Sequence, residues 1–221
     1  MSEPRVEALT RNEVLVGYES IKSTRPNLRA RDVALELGIS EAELLNSRTG
    51  DEVTKLEGEW AELIRSLPSL GRVMVLTRNE NCVHEKYGEF DNISIGPGHG
   101  LVLNKDIDLR LFMSHWHFGF AVSELVASGK RHSLQFFDID GQAVHKVYIP
   151  KDNNLKVYNS LVERFRTKEQ TKEISTHSLP AGRADLPDAE LDTENFLTHW
   201  GNLKDTHHFF GLLNEFGVGR R

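Results

Sequence analysis

The stretch that decides the fold runs from residue 106 to residue 149 and reads DIDLRLFMSHWHFGFAVSELVASGKRHSLQFFDIDGQAVHKVYI. Short polar breaks divide it into four runs of strand-like composition: IDLRLFM, WHFGFAVSE, HSLQFFD and AVHKVYI. In the first run Asp108, Arg110 and Phe112 alternate with apolar residues, as in a strand with one buried side. The stretch therefore predicts the centre of an antiparallel sheet.

Arg110 and Phe112 share the polar face of that first strand. Two interpretations are open for this face. It is either solvated surface or one wall of a site for a flat ligand that is both anionic and apolar.

Helices are predicted before and after the sheet. Helical spacing of apolar residues indicates helices over residues 12–22, 29–37 and from Ser40 onward, with Gly38 ending the second and Ser40 capping the third. A further helix over 58–67 precedes a β-rich run at 71–77, where we expect the sheet to begin, and a helix over 155–165 follows it. The predicted class is α+β, with a large, mostly antiparallel sheet of seven to nine strands, an N-terminal helical cluster and packing helices.

The segment ARDVALELGISEAELL, residues 30–45, has the spacing of a helix-turn-helix. Its second helix opens with Glu41 and Glu43, which would face DNA phosphates. A packing role is therefore favoured, and a DNA-binding regulator is kept as the alternative function.

Composition limits the other function classes. The chain has 33 acidic and 27 basic residues, a formal charge of −6 that gives no general attraction to nucleic acid. The single cysteine, Cys82, allows no internal disulfide, and the N-terminus has no apolar signal core. No apolar run approaches the roughly 20 residues that span a bilayer. These features predict a cytosolic protein without an integral membrane segment or a nucleic-acid partner.

Residues 168–192 are rich in Lys, Glu, Ser and Pro, which predicts a linker. When residues 207–221 are aligned with residues 28–42, a glutamate, a glycine and a β-branched residue coincide, as Glu215, Gly217 and Val218 on Glu36, Gly38 and Ile39. We therefore predict one complete repeat over 1–167, a linker over 168–192 and the opening helices of a second repeat over 193–221.

Ten histidines raise the question of a metal site. His207 stands out because Asp205 precedes it and the apolar run FFGLL follows it; an imidazole there suits either a haem iron ligand or a residue flanking a core. His84, on a predicted strand, is a second metal candidate, although a surface or hydrogen-bonded role is favoured. His132 and His145 are expected to be satisfied by polar neighbours, and His99 to lie in a turn.

Four segments, RARDVALELGISEAELL, DLRLFM, RHSLQFFDIDGQAVHKVY and KDTHHFFGLL, closely resemble the cytosolic haem-handling family typified by HemS, HmuS and ChuS, the hemin-degrading factors. The resemblance extends over nearly the whole chain. It implies two tandem repeats, each a large antiparallel sheet with helices, of which this chain holds the first and the start of the second.

The resemblance also implies roles for single residues. His207 matches the proximal iron ligand in the family's Asp-x-His motif, Arg110 matches the arginine on the distal side of the haem, and Phe112 matches a pocket-lining residue. His208 departs from the pattern, since some members have glutamine there, and it makes an exchange of ligand between the two histidines an alternative. The family's propionate-binding residues belong to the second repeat, at positions that this chain does not contain.

Two haem functions follow from the resemblance. One is a carrier in haem uptake and iron acquisition, which receives haem from an importer and passes it on, with a haem oxygenase as one expected partner. The other is an enzyme that opens the macrocycle with dioxygen and an external reductant, with Arg110 as the catalytic residue. Large apolar side chains of the C-terminal helix are unfavourable in water, so three alternatives are open: the helix docks on the first repeat, pairs with another copy of the chain in a homodimer, or stays mobile.

Overall fold

The computed structural model describes residues 9–50, 52–79, 82–97, 99–150, 155–177, 187–205 and 208–219. The chain divides into two compact units, residues 1–178 and 179–221. Within the described ranges, no helix is both long enough and apolar enough to cross a membrane.

The described helices and strands form the α+β architecture that the sequence predicts. The helices of the first unit are α1 Arg11–Thr24, α2 Ala30–Leu37, α3 Glu41–Ser47, α4 Trp60–Ser66 and α5 Leu155–Phe165. The second unit contains α6 Thr193–Gly201 and α7 Phe209–Phe216. The strands are β1 Val53–Leu56, β2 Arg72–Arg78, β3 Val83–Glu89, β4 Ile93–Ile95, β5 Gly100–Leu103, β6 Asp108–Leu111, β7 Phe118–Val126, β8 Gly129–Phe137 and β9 Ala143–Ile149.

The strands form two sheets, which corrects two expectations. A six-stranded sheet has the order β1-β7-β8-β9-β2-β3, so it begins at β1 and not at residue 71. The strand β6 does not join β7 to β9 but pairs with β5 in a three-stranded sheet, β4-β5-β6. A short 3-10 helix, Met113–His115, and the buried Trp116 separate β6 from β7. Periodicity sets which face of a strand is buried, but it does not choose the partner strand.

Helices cover both faces of the large sheet. On one face Ala42 and Leu45 of α3 pack against Phe120 and Phe137. On the other face α4 and α5 contribute to the main core, which includes Leu134 of β8. Alternate residues along β7, β8 and β9 point to opposite faces, so this sheet is buried on both sides at its centre.

The helix α3 packs on the sheet, as the sequence analysis favours. The Ser40 hydroxyl accepts from the Glu43 N–H, and the Glu43 carboxylate accepts from the Ser40 N–H, which together form a capping box. Glu41 is buried and receives a hydrogen bond of 2.5 Å from Lys146 Nζ on β9. A helix with this burial does not present a face to a major groove.

Residues 168–177, predicted as the start of the linker, run along the first unit. The Gln170 side chain accepts from the Lys55 N–H at 2.8 Å and donates to the Lys55 carbonyl at 2.9 Å. Farther along, Thr176 donates to Glu43 at 3.0 Å. Residues 178–186, in the middle of the predicted linker, lie outside the described residues.

The second unit has an apolar cluster of its own, in which Phe196, Leu212 and Leu213 are buried. In the alignment of residues 207–221 with 28–42, α7 coincides with α2, and Leu212 and Leu213 coincide with the buried Val33 and Ala34. The two helices also end in the same way.

Both helices stop at a glycine in the left-handed region, with φ of 70° at Gly38 and 65° at Gly217. The N–H of the next residue then reaches back to the helix: Ile39 donates to the Ala34 carbonyl at 3.0 Å, and Val218 donates to the Leu213 carbonyl at 2.9 Å. This is the same Schellman geometry at aligned positions. The second repeat stays a prediction, since many helices end with this geometry.

Candidate functional site

The three-stranded sheet has one buried and one open face. Leu109 and Leu111 of β6 point into the main core, whereas Arg110 is exposed, as the alternation predicts. Phe112 follows the end of β6 and is 52% exposed. Arg110 pairs with Leu101 of β5, and Leu103 on the same face is 54% exposed. The open face therefore combines a guanidinium with three apolar side chains.

Two imidazoles lie beside Phe112 on this sheet. The ring centroid of His99 is 6.3 Å from that of Phe112, and the centroid of His115 is 6.5 Å from it. His99 lies in the β4–β5 turn, as predicted, where its carbonyl accepts from the Gly96 N–H at 3.0 Å. His115 ends the short 3-10 helix after Phe112. Sequence reasoning did not connect these histidines with Phe112, because they come from different turns.

The other candidate ligands are placed elsewhere. His84 is exposed on β3, the edge strand of the six-stranded sheet, so it does not belong to the sheet that carries Arg110. His208 is exposed and immediately precedes α7 in the second unit. His207 lies outside the described residues.

Two further histidines lie on strands of the six-stranded sheet, His132 on β8 and the buried His145 on β9. His132 shares a hydrogen bond of 2.8 Å with Ser123 Oγ, as expected. The pKa of His132 is lowered, mainly by desolvation and to a smaller extent by the positive charge of Lys130. For His145 the expectation of polar neighbours is wrong: within the described residues neither ring nitrogen has a hydrogen-bond partner. Its ring stacks on Trp116 at 5.7 Å, and burial lowers its pKa to about 4.

Comparison with known proteins decides the family. A family model described as the haemin-degrading HemS/ChuX domain matches residues 38–165. The chain belongs to the HemS/ChuX family.

Individual family members agree with this assignment. The chain is 37% identical over 209 residues to the hemin transport protein HmuS of Yersinia pestis, a match that covers 92% of this chain and 59% of the relative. It superimposes on the crystal structure of holo-PhuS, a heme-binding protein from Pseudomonas aeruginosa, with a TM-score of 0.88 and 41% identity, over 96% of this chain and 62% of that one.

A third comparison is with the Escherichia coli O157:H7 heme degrading enzyme ChuS, with a TM-score of 0.83 and 31% identity over 96% of this chain and 61% of that one. The chain thus spans about three fifths of the length of the relatives that it matches.

The open face carries side chains that could hold a haem. Phe112, Leu101 and Leu103 offer apolar contact to a flat ring, Arg110 offers N–H donors, and His99 and His115 offer nitrogen ligands. Among the described residues, no cluster of three or more His, Cys, Asp or Glu side chains forms a site for a free metal ion.

Proposed function

We propose that the protein binds haem against the open face of the three-stranded sheet and handles it in haem uptake and iron acquisition in the cytosol. One observation carries the proposal. In a HemS/ChuX chain, β6 bears the exposed Arg110 and is followed directly by the exposed Phe112. The names of HmuS and PhuS, which describe hemin transport and heme binding, support the same ligand.

In this proposal each side chain has a defined task. The iron of bound haem supplies a centre that accepts axial nitrogen ligands, and His207 is proposed as the proximal ligand, with His208 and His84 as alternatives. Phe112 and the neighbouring leucines cover part of the ring. Arg110 is proposed to donate hydrogen bonds on the distal side of the haem.

Transfer of haem to a partner is the function that these residues support best. An open sheet face lets cargo leave without unfolding the site, which suits a carrier between an importer and a haem oxygenase. Opening of the macrocycle is the second candidate, because Arg110 is an exposed donor and the neighbour ChuS is described as heme degrading. That oxidation would consume dioxygen and electrons from an external reductant.

An absorbance titration with hemin tests the proposal. We expect one hemin per chain, a shifted Soret band, and an affinity at least tenfold weaker in His207→Ala, which corresponds to about 1.4 kcal/mol. His208→Ala and His84→Ala test the two alternative ligands, and each should behave as wild type if His207 is the ligand. If His208→Ala abolishes the Soret band while His207→Ala does not, the proximal ligand is His208 and not His207. Absence of binding in the wild type would refute haem handling itself.

The role of Arg110 is tested separately. Arg110→Ala should retain hemin, because the guanidinium does not hold the iron, but its hemin should lose the Soret band at a different rate under a reductant and oxygen. Arg110→Lys keeps the charge and loses the planar donor group, so it separates the two contributions. Equal rates in all three proteins would remove Arg110 from any catalytic role.

DNA binding is the alternative function. The burial of α3 argues against it, because a recognition helix must be exposed to enter a major groove. A fluorescence anisotropy titration with mixed-sequence duplex at physiological salt should show no saturation. Saturable binding would support the helix-turn-helix interpretation.

A further inference from the structure

Phe112 lies between two features that the proposed function does not use. These are the imidazoles of His99 and His115, whose rings are tilted by 42° and 31° against the phenyl plane. Both distances to Phe112 lie within the range of direct aromatic contact. The three rings therefore form one surface group, which we call the His-Phe-His cluster.

The backbone of this cluster is held in place while the imidazoles are free to turn. The His99 carbonyl accepts from Gly96, and the His115 N–H donates to the Phe112 carbonyl, each at 3.0 Å. Both histidines are exposed, and across the described ranges of the chain neither imidazole has a hydrogen-bond partner. Within the described part of the chain, rotation of either ring therefore breaks no hydrogen bond.

A ligand that covers Phe112 must contact these imidazoles. A haem that packs on Phe112 would come next to both imidazoles, because their ring centroids lie 6.3 Å and 6.5 Å from that of Phe112. Either exposed imidazole would hold the iron through a ring nitrogen, after turning about its side-chain bonds. Neutral imidazole is the commonest nitrogen ligand of haem iron in proteins.

We propose that the His-Phe-His cluster supplies a second nitrogen ligand to haem iron, from His99 or His115, on the face of Arg110 and independently of His207. This inference rests on the proposed haem binding. Because the cluster lies wholly within the first unit, this ligand would not depend on the residues of the second unit.

The test compares hemin with metal-free protoporphyrin IX in the chain 1–221. His207→Ala should still bind hemin, and the triple variant His207→Ala/His99→Ala/His115→Ala should bind it at least tenfold more weakly. Protoporphyrin IX, which has the ring but no iron, should bind equally to both variants. The control His207→Ala/His117→Ala removes an exposed histidine outside the cluster and should match His207→Ala.

Each contrary result has a separate meaning. If the triple variant binds hemin as well as His207→Ala does, or if His207→Ala binds none, the cluster is not an independent ligand. If hemin and protoporphyrin IX weaken together, the imidazoles are only a wall of the site and the inference is wrong. A wild-type chain that binds no hemin at all refutes the proposed function, and the inference with it.

Discussion

At the scale of single residues, His145 is the side chain whose chemistry differs most from its sequence context. It lies on β9 with 1% of its surface exposed, and its neighbours are the rings of Trp116 and Phe90. Both nitrogens lack partners within the described residues, so protonation would place an unpaired charge among aromatic rings. The lowered pKa of about 4 is the direct consequence.

This burial predicts a loss of stability in mild acid. The ordinary histidine pKa is 6.5 and the folded pKa is about 4, so the unfolded chain binds the proton first and stability falls as the pH drops below 6.5. Between pH 7 and pH 5 we expect His145 to account for about 2 kcal/mol of the free energy of unfolding. Urea titrations at both pH values measure it.

The variant His145→Phe removes the titrating group and keeps an aromatic ring against Trp116. It should lose less stability than the wild type between pH 7 and pH 5, whereas the exposed control His84→Phe should not differ from the wild type. An unchanged pH dependence in His145→Phe would mean that another group is responsible.

Gly38 shows a second effect at this scale, that of backbone conformation. Its φ of 70° is unfavourable for a side chain, and an added Cβ would meet nothing within 4 Å. Gly38→Ala should therefore lower the free energy of unfolding by about 1 kcal/mol through conformation alone. Gly38→Asn should cost less, because asparagine tolerates this region. Equal stability of Gly38→Ala and the wild type in urea would contradict this account.

At the scale of elements, a buried ion pair connects α3 to the sheet. Lys146 Nζ donates to Glu41 at 2.5 Å, and both side chains are more than nine-tenths buried. The Lys146 ammonium also lies 5.7 Å from the centre of the Phe137 ring. Removal of one partner leaves the other charge buried without compensation.

We therefore expect Lys146→Met to lower the free energy of unfolding by about 3 to 5 kcal/mol. The double variant Lys146→Met/Glu41→Leu should recover most of that loss, because no buried charge remains. A double-mutant cycle in urea measures the coupling. The exposed pair Arg164–Glu62 is the control, and its disruption should cost less than about 1 kcal/mol. Additive losses at Lys146 and Glu41 would show that the pair is not coupled.

At the scale of the whole molecule, the second unit leaves large apolar side chains in contact with water. Leu197, Trp200 and Phe210 are 59%, 48% and 62% exposed. Burial of the apolar area that they still expose would stabilise an association by about 25 cal/mol per Å². We therefore propose that this surface mediates a homodimer.

Analytical ultracentrifugation over a concentration series tests the dimer. The double variant Leu197→Ser/Phe210→Ser should shift the distribution toward monomer. Leu35→Ser is the control, since Leu35 is an exposed leucine of the first unit, and it should leave the distribution unchanged. A wild-type chain that sediments as a monomer throughout the series would exclude this dimer.

The local pattern of apolar and polar residues predicts most of the helices and strands. The bounds of α5 agree with the predicted range 155–165, and Gly38 and Ser40 delimit α2 and α3 as expected. The short strand β1 was not predicted, because four residues are too few to establish a period. The assignment of the chain to its family also follows from sequence alone, through segments such as DLRLFM and RHSLQFFD.

The amino-acid sequence by itself determined that Arg110 of β6 is exposed while Leu111 is buried, because side-chain direction alternates along a strand. Only the tertiary structure decided that β6 pairs with β5, that His145 is enclosed by aromatic rings and that His99 and His115 meet at Phe112. These facts depend on contacts between residues that are distant along the chain. Periodicity within one element contains no information about such contacts.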